Sequence, residues 1–267
     1  MVQVIKADGT KEAFDEIHVI SSIRRAGIPK ELVDEVLTHV ESKLYENIPT
    51  FEIYHHIVEY LGKSKYPYAR AKYSLKQAIM LLGPTGYPFE DFVAKLLEEE
   101  GYTVAVRQIL TGKCISHEVD VVAKKGSKSI LVEVKFHNSV GIRSDVHVPM
   151  YTKSRFDDVK EKYNLSESWI VTNTKTTVDA NIFAHCAGMQ IVSWDYPHEW
   201  SLRDRIEKNN LHPITMLTSL TPARKLILLN NHIVLCKDLH NNEKALQLLG
   251  LSPDEKNKVN AELSFIS

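Results

Sequence analysis

The stretch "HEVDVVAKKGSKSILVEVKFH", residues 117–137, sets one carboxylate in an apolar strand, then a turn, then a carboxylate and a lysine two residues apart in a second strand. Side chains of a strand alternate between faces. Glu133 and Lys135 therefore share one face, while Ile130, Val132, Val134 and Phe136 share the other. Asp120 lies on the preceding strand, and its neighbours Val119 and Val121 are expected to point away from it. Side-by-side pairing of the strands would bring both carboxylates within reach of one cation. A hard ion such as Mg²⁺ takes oxygen ligands and keeps several waters, so two carboxylates plus substrate phosphate oxygens suffice. It lowers the pKa of bound water and neutralises charge developing on a scissile phosphate. Beside it, Lys135 would orient or deprotonate the attacking water and stabilise that charge.

Upstream, Phe89, Phe92, Val93, Leu96 and Leu97 form a helical stripe, and Glu90 sits on its flank, where it can aim inward as a further ligand. Downstream, helix and strand patterns alternate: a helix near 151–163, a strand at "SWIVTN", a helix near 177–187 and a strand at "MQIVSWD". Strands separated by helices imply partly parallel pairing in an α/β sheet.

Before this unit, "MVQVIKADGTKEAF" reads as two strands joined at Asp8-Gly9. Helical stripes follow: Ile17, Ile20 and Ile23; Leu32, Val33, Val36, Leu37, Val40 and Leu44; Ile53, Ile57, Val58 and Leu61. A fourth helix around 66–82 stops at "GPTGYP", the best boundary in the chain because it joins a helix stop to turn formers. From Ser201 the pattern is helical again, with Thr221-Pro222 as an N-cap and first helical position, and Ser252 with Glu255 as a capping box. The expected domains are 1–82, 83–200 and 201–267.

The 267 residues carry 33 basic and 34 acidic side chains, a net charge of -1, so any nucleic-acid contact must be local rather than a bulk positive field. Residues 83–200 hold 13 basic against 16 acidic side chains, consistent with carboxylates that hold a cation. Three scattered cysteines, no long apolar run and no leader pattern fit an intracellular, cytoplasmic protein without membrane contact.

"PFEDFVAKLLEEEGYTV", "HEVDVV" and "LVEVKFH" together resemble the PD-(D/E)xK nuclease superfamily, near its Mrr-like restriction endonuclease branch. The resemblance implies a mixed sheet flanked by helices, with Asp120, Glu133 and Lys135 as the catalytic core, Asp120 and Glu133 as metal ligands and Glu90 as the helix glutamate. Mrr-like enzymes often carry a glutamine with a lysine after the Glu-x-Lys strand. In "SDVHVPMYTKSRFDD" that glutamine is missing, and Asp145, His147 and Lys153 are the candidates for its place. His117 and His137 flank the motif in structural or substrate-contacting positions.

The first unit, through "VIKADGTKEAFDEIHVISSIRRAG", "TFEIYHHIVEYL" and "YARAKYSLKQAI", resembles an ATP-cone, a nucleotide-sensing domain built as a β-hairpin with a helical bundle. That likeness implies nucleotide contacts from Lys6, Asp8, Gly9, Phe14 and His18. Ala7 replaces the usual arginine, and His18 stands where the family has a lysine. Residues 214–252 weakly resemble helix-hairpin-helix segments, with Asn230-Asn231-His232 in place of the usual glycine turn. Arg224 and Lys225 there, with Lys153 and His137, are the candidate nucleic-acid contacts.

The expected function is a Mg²⁺- or Mn²⁺-dependent DNA endonuclease, with ATP or dATP as effector at the cone. RNA or branched DNA remains open as substrate. A homo-oligomer is expected, because cutting two strands pairs two centres by symmetry. The alternative is a nucleotide-responsive nucleic-acid-binding or regulatory protein whose nuclease fold is inactive.

Overall fold

A computed structural model describes residues 2–66, 68–240 and 242–266. Strands β1 (Gln3–Ile5) and β2 (Lys11–Ala13) form the expected antiparallel hairpin, with Gly9 at φ 82 in its turn. The Asp8 carboxylate accepts from the Thr10 amide (3.1 Å) and hydroxyl (2.6 Å), fixing the tip. Helices α1 (Glu16–Arg25) and α2 (Lys30–Glu41) follow, then β3 (Ile48–Pro49), parallel to β1, and α3 (Thr50–Lys63). Their core joins Val4, Val19, Ile23, Leu32, Val36, Val40, Ile48, Ile53, Ile57 and Leu61. The stripe of α1 differs from its sequence pattern. Val19 and Ile23 are buried one turn apart, whereas Ile17, in the first turn behind the Asp15 cap, is 66% exposed.

The fourth helical pattern is two helices, α4 (Ala69–Tyr73) and α5 (Leu75–Met80), broken at Ser74. The Ser74 hydroxyl takes a hydrogen bond from Tyr54 (3.0 Å). Ala71, Leu75, Ala78, Ile79 and Leu82 leave the first core and join the core of the central sheet.

That sheet follows α6 (Tyr87–Glu99), which starts after Gly86 at φ 84 with Pro88 in its first turn. Its elements are β4 (Thr103–Thr111), β5 (Ser116–Lys125), β6 (Lys128–Lys135), the short β7 (Arg143–Ser144), α7 (His147–Tyr163), β8 (Glu167–Thr172), the short β9 (Lys175–Thr176), α8 (Val178–Cys186) and β10 (Gln190–Val192). The strand order is β10-β8-β6-β5-β4, with β4, β5 and β6 antiparallel and β6, β8 and β10 parallel. The sheet is thus mixed, its parallel half built by helical crossovers. Ile130, Val132 and Val134 pack towards Phe89 and Phe92 of α6, whereas Leu131 packs with Phe156 and Val159 of α7.

The last part comprises α9 (Leu202–Lys208), α10 (Pro222–Asn230), α11 (Cys236–Leu239), α12 (Glu243–Gln247) and α13 (Pro253–Ile266). It packs into the same cluster as α6, through Leu228, Leu235 and Leu263 among others. Thr221 caps α10, and Ser252 and Glu255 exchange the two bonds of a capping box. Among the described residues no helix is long and apolar enough to cross a membrane.

Candidate active site

The pairing of β5 with β6 runs from Lys125 opposite Lys128 to Val121 opposite Val132 and stops one residue short of Asp120 and Glu133. At that point the Asp120 carboxylate accepts from the Val134 amide at 2.6 Å, so a side chain takes over a backbone role. On the other side of β5 the ladder with β4 skips the pair Arg107 and Asp120, and Arg107 has φ 50. A non-glycine residue with positive φ is uncommon and marks a local twist. Here the twist turns both strands over. Val121 packs with Val132, but Val119 packs with Leu131 on the opposite face of the sheet. The expectation that Val119 and Val121 both point away from Asp120 on one shared face is therefore corrected, and the irregularity coincides with the carboxylate.

Glu133 and Lys135 share the face towards α7, as alternation requires, and Arg155 of α7 donates to Glu133 Oε2 at 2.5 Å while also contacting the Tyr151 hydroxyl. Burial pushes the Glu133 carboxyl up to about 7, with the neighbouring Asp120 carboxylate adding to the effect and Arg155 and Lys135 opposing it. Asp120 is also raised by burial, partly offset by the Val134 amide. Burial raises Glu90 too, although Arg107 donates to it at 3.1 Å. Lys135 is exposed at the strand end, and among the described residues its ammonium makes no ion pair. Burial is the first cause of the rise at Asp120, Glu133 and Glu90, and the Asp120 carboxylate adds to it at the other two; together they form a partly buried set of oxygen donors. That set fits a hard divalent cation, with Asp120 and Glu133 as the holders.

Four further residues that the strand pattern alone does not show, Asp91, Arg107, Arg155 and His232, join this centre. Arg107 bridges Glu90 and Asp91, its bond to Asp91 being 2.7 Å, and His232 Nδ1 lies 2.8 Å from the other Asp91 oxygen. His232 ends the Asn230-Asn231-His232 turn and adopts φ 58. Arg155 is a cation kept inside a helix face, 8% exposed. Its spacing with Thr152, Phe156 and Val159, which puts a cation on the inward stripe of α7, is the signal that could have found it.

The other candidates fall elsewhere. His117 Nε2 lies 2.8 Å from Asp158, whose carboxylate also takes the amides of Cys114 (2.8 Å) and Ile115 (3.4 Å). His137 is held by Ser144 and Asn173. Asp145 and His147 pair with each other on the surface, and Lys153 pairs with Asp157 at 2.6 Å. Arg224 makes two bonds to Glu255, and Lys225 donates to the Thr215 carbonyl at 2.8 Å. In the first unit Phe14 and His18 line a cavity of about 150 Å³ with Glu12, Thr50 and Tyr54. Lys6 and Asp8 line a second, of about 390 Å³, shared with Lys76 of α5 and with Arg143 and Lys175 of the following unit. Gly9 shapes the hairpin tip beside it.

Residues 2–78 match the ATP cone domain family, 82–198 the Mrr-type restriction endonuclease family and 212–266 the AF1548-like C-terminal family. An uncharacterized protein of Archaeoglobus fulgidus is 34% identical over 173 residues, 64% of this chain and 97% of its own. The crystal structure of AF1548, a protein of unknown function, aligns with TM-score 0.59 and 33% identity over 67% of this chain and 97% of its own. MspJI restriction endonuclease, solved with a 27-mer oligonucleotide, aligns with TM-score 0.34 and 11% identity over 68% of this chain and 40% of its own.

Proposed function

The chain belongs to the AF1548-like family, with an ATP-cone joined to a restriction-endonuclease-like domain, and from that premise we propose that it is a Mg²⁺- or Mn²⁺-dependent DNA endonuclease answering to ATP or dATP. One observation carries the reading: Asp120 and Glu133 directly follow the last pair of two strands that part there, Asp120 bonded to the Val134 amide, with the unpaired Lys135 two residues beyond Glu133. The bound ion would supply an activated water and positive charge at the scissile phosphate. Asp120 and Glu133 would hold it, the first oriented by the Val134 amide and the second by Arg155. Lys135 orients the attacking water and stabilises charge on the phosphate, a preorganised role that needs an ammonium not already engaged. Glu90 stays beside them, held by Arg107. Two-strand cleavage would pair two such centres in a homo-oligomer.

Two contacts support the coupling. Arg143 donates to Asp8 at 3.1 Å, and a side chain on Gly141 would meet the Ala7 carbonyl at 3.0 Å. The hairpin tip of the cone therefore rests on the segment that leaves the Glu-x-Lys strand. A nucleotide that shifts the tip would shift that segment, provided it binds the two arrangements unequally.

The test is nicking of supercoiled plasmid by wild-type and Asp120→Ala protein, with Mg²⁺ or Mn²⁺, with and without ATP or dATP. Metal-dependent nicking that Asp120→Ala loses, and that nucleotide alters in the wild type, is the expected result. Equal nicking by the pure variant would overturn the assignment.

A further inference from the structure

A second group of ligating side chains lies far from the nuclease chemistry in sequence, between α2 and α3. His39 stands in the last turn of α2, and His56 and Glu59 stand three residues apart on α3. That spacing puts both on one face of their helix. One ligand atom from each of the three lies within 4.8 Å of the other two. The rings of His39 and His56 have centroids 6.1 Å apart and lie nearly perpendicular, at 79°.

The polar accounting at His39 is incomplete. Its Nε2 is buried without a hydrogen-bond partner. Packing against Tyr60, at 5.1 Å between centroids, holds the ring but gives that nitrogen nothing to bond. A buried polar atom left unpaired calls for an explanation, and coordination of an ion is one.

We propose that His39, His56 and Glu59 form a site for a borderline divalent transition-metal ion, with Zn²⁺ the best fit and water completing the coordination. Two imidazole nitrogens and one carboxylate oxygen suit Zn²⁺ or Co²⁺ and not the hard cation of the nuclease centre. With Zn–N near 2.0–2.1 Å, two imidazoles on one tetrahedral ion have centroids about 5–6 Å apart, so the rings need only a small approach. Glu59 now pairs with Lys63 at 2.6 Å, an exposed pair one turn apart on the helix. Such pairs are weak and readily exchanged. The C-terminal end of α2 carries partial negative charge from its carbonyls, which favours a cation there. A bound ion would tie α2 to α3, and α3 supplies Thr50 and Tyr54 to the wall of the 150 Å³ cavity. The site would therefore brace the cone rather than act in cleavage.

Co²⁺ titration of untagged full-length protein, with excess Mg²⁺ present for the carboxylate centre, tests this. One equivalent should bind with the visible absorption of tetrahedral nitrogen and oxygen coordination. That band should vanish in His39→Ala and in His56→Ala, weaken in Glu59→Gln and persist in Asp120→Ala. X-ray absorption of the Zn²⁺-loaded wild type needs no variant and should show imidazole scattering. No bound ion in the wild type, no imidazole scattering, or a band unchanged in a folded His39→Ala/His56→Ala double variant would overturn the site. A band lost only in Asp120→Ala would place the ion in the nuclease centre and overturn it equally.

Discussion

Helix α7 serves two carboxylates with opposite chemistry. Through its own Asp158 it grips the turn between β4 and β5: that carboxylate takes two backbone amides and the His117 ring, and these donors hold it well below the usual carboxylate range. Gly112 packs so closely there that a side chain on it would meet Asp158 Oδ2 at 2.0 Å. Through Arg155 the same helix reaches Glu133, whose other neighbours include Asp120 and which burial lifts to about 7. A carboxylate whose acceptor positions are filled by protein donors is finished as it stands. One surrounded by other carboxylates is left for something the protein must bind.

The sharpest way to test that difference is Lys135→Ala. Removing a preorganised group that acts only on the reacting phosphate should slow metal-dependent nicking by about 10²–10³-fold, with far-UV circular dichroism unchanged. A rate near wild type would remove the centre from the chemistry.

Next in size is the effect of pH on the metal-free protein. The folded pKa of Glu133 lies above its unfolded value of 4.5, so its contribution to stability is complete below about 4.5 and is lost as pH rises through about 7. The loss is on the order of 3 kcal/mol. Denaturant midpoints should fall across that window, and Glu133→Gln should flatten the decline. Mn²⁺ at alkaline pH should restore the wild type but not the variant. Parallel curves for the two proteins would contradict the comparison.

Asp158→Asn should do the reverse, lowering the melting temperature by about 2–4 °C while cleavage per folded molecule stays at the wild-type rate. A large loss of cleavage would make Asp158 part of the chemistry. The smallest effect on the unliganded enzyme belongs to Arg143→Ala. Its exposed pair with Asp8 should matter little to stability, yet the ratio of nicking rates with and without nucleotide should fall towards one. An unchanged ratio would move the coupling to another contact.

Alternation, a local property of the backbone, was enough to put Glu133 and Lys135 on one face of β6, whereas Asp120 stands where alternation on β5 breaks. The mixed sheet was legible from helices placed between strands, and the caps at Thr221 and Ser252 from their spacing. The turnover at Arg107 was not legible, since it depends on a non-glycine residue adopting φ 50 in a paired strand. Arg155 was missed for a different reason: its partner Glu133 lies 22 residues away and meets it only after α7 docks. The break at Ser74 and the exposure of Ile17 likewise reflect packing that no window of sequence contains. Arg224 and Lys225 read as free cations in the chain but are engaged by Glu255 and Thr215 in the fold.

The helices α4 and α5 carry a consequence of another kind. Residues 69–78 fall within the cone match, yet Ala71, Leu75 and Ala78 are buried with Phe92, Val132 and Leu228. The Thr215 hydroxyl even donates to the Ala78 carbonyl at 2.6 Å. The hairpin and first three helices have their own core and can open as a unit, whereas α5 must melt with the sheet; α4 straddles the two, with Ala69 and Tyr73 on the first core and Ala71 on the second. Cooperative unfolding therefore divides the chain inside the cone, within α4. A swapped or deleted cone would keep the nuclease soluble only if the exchange were made before that seam.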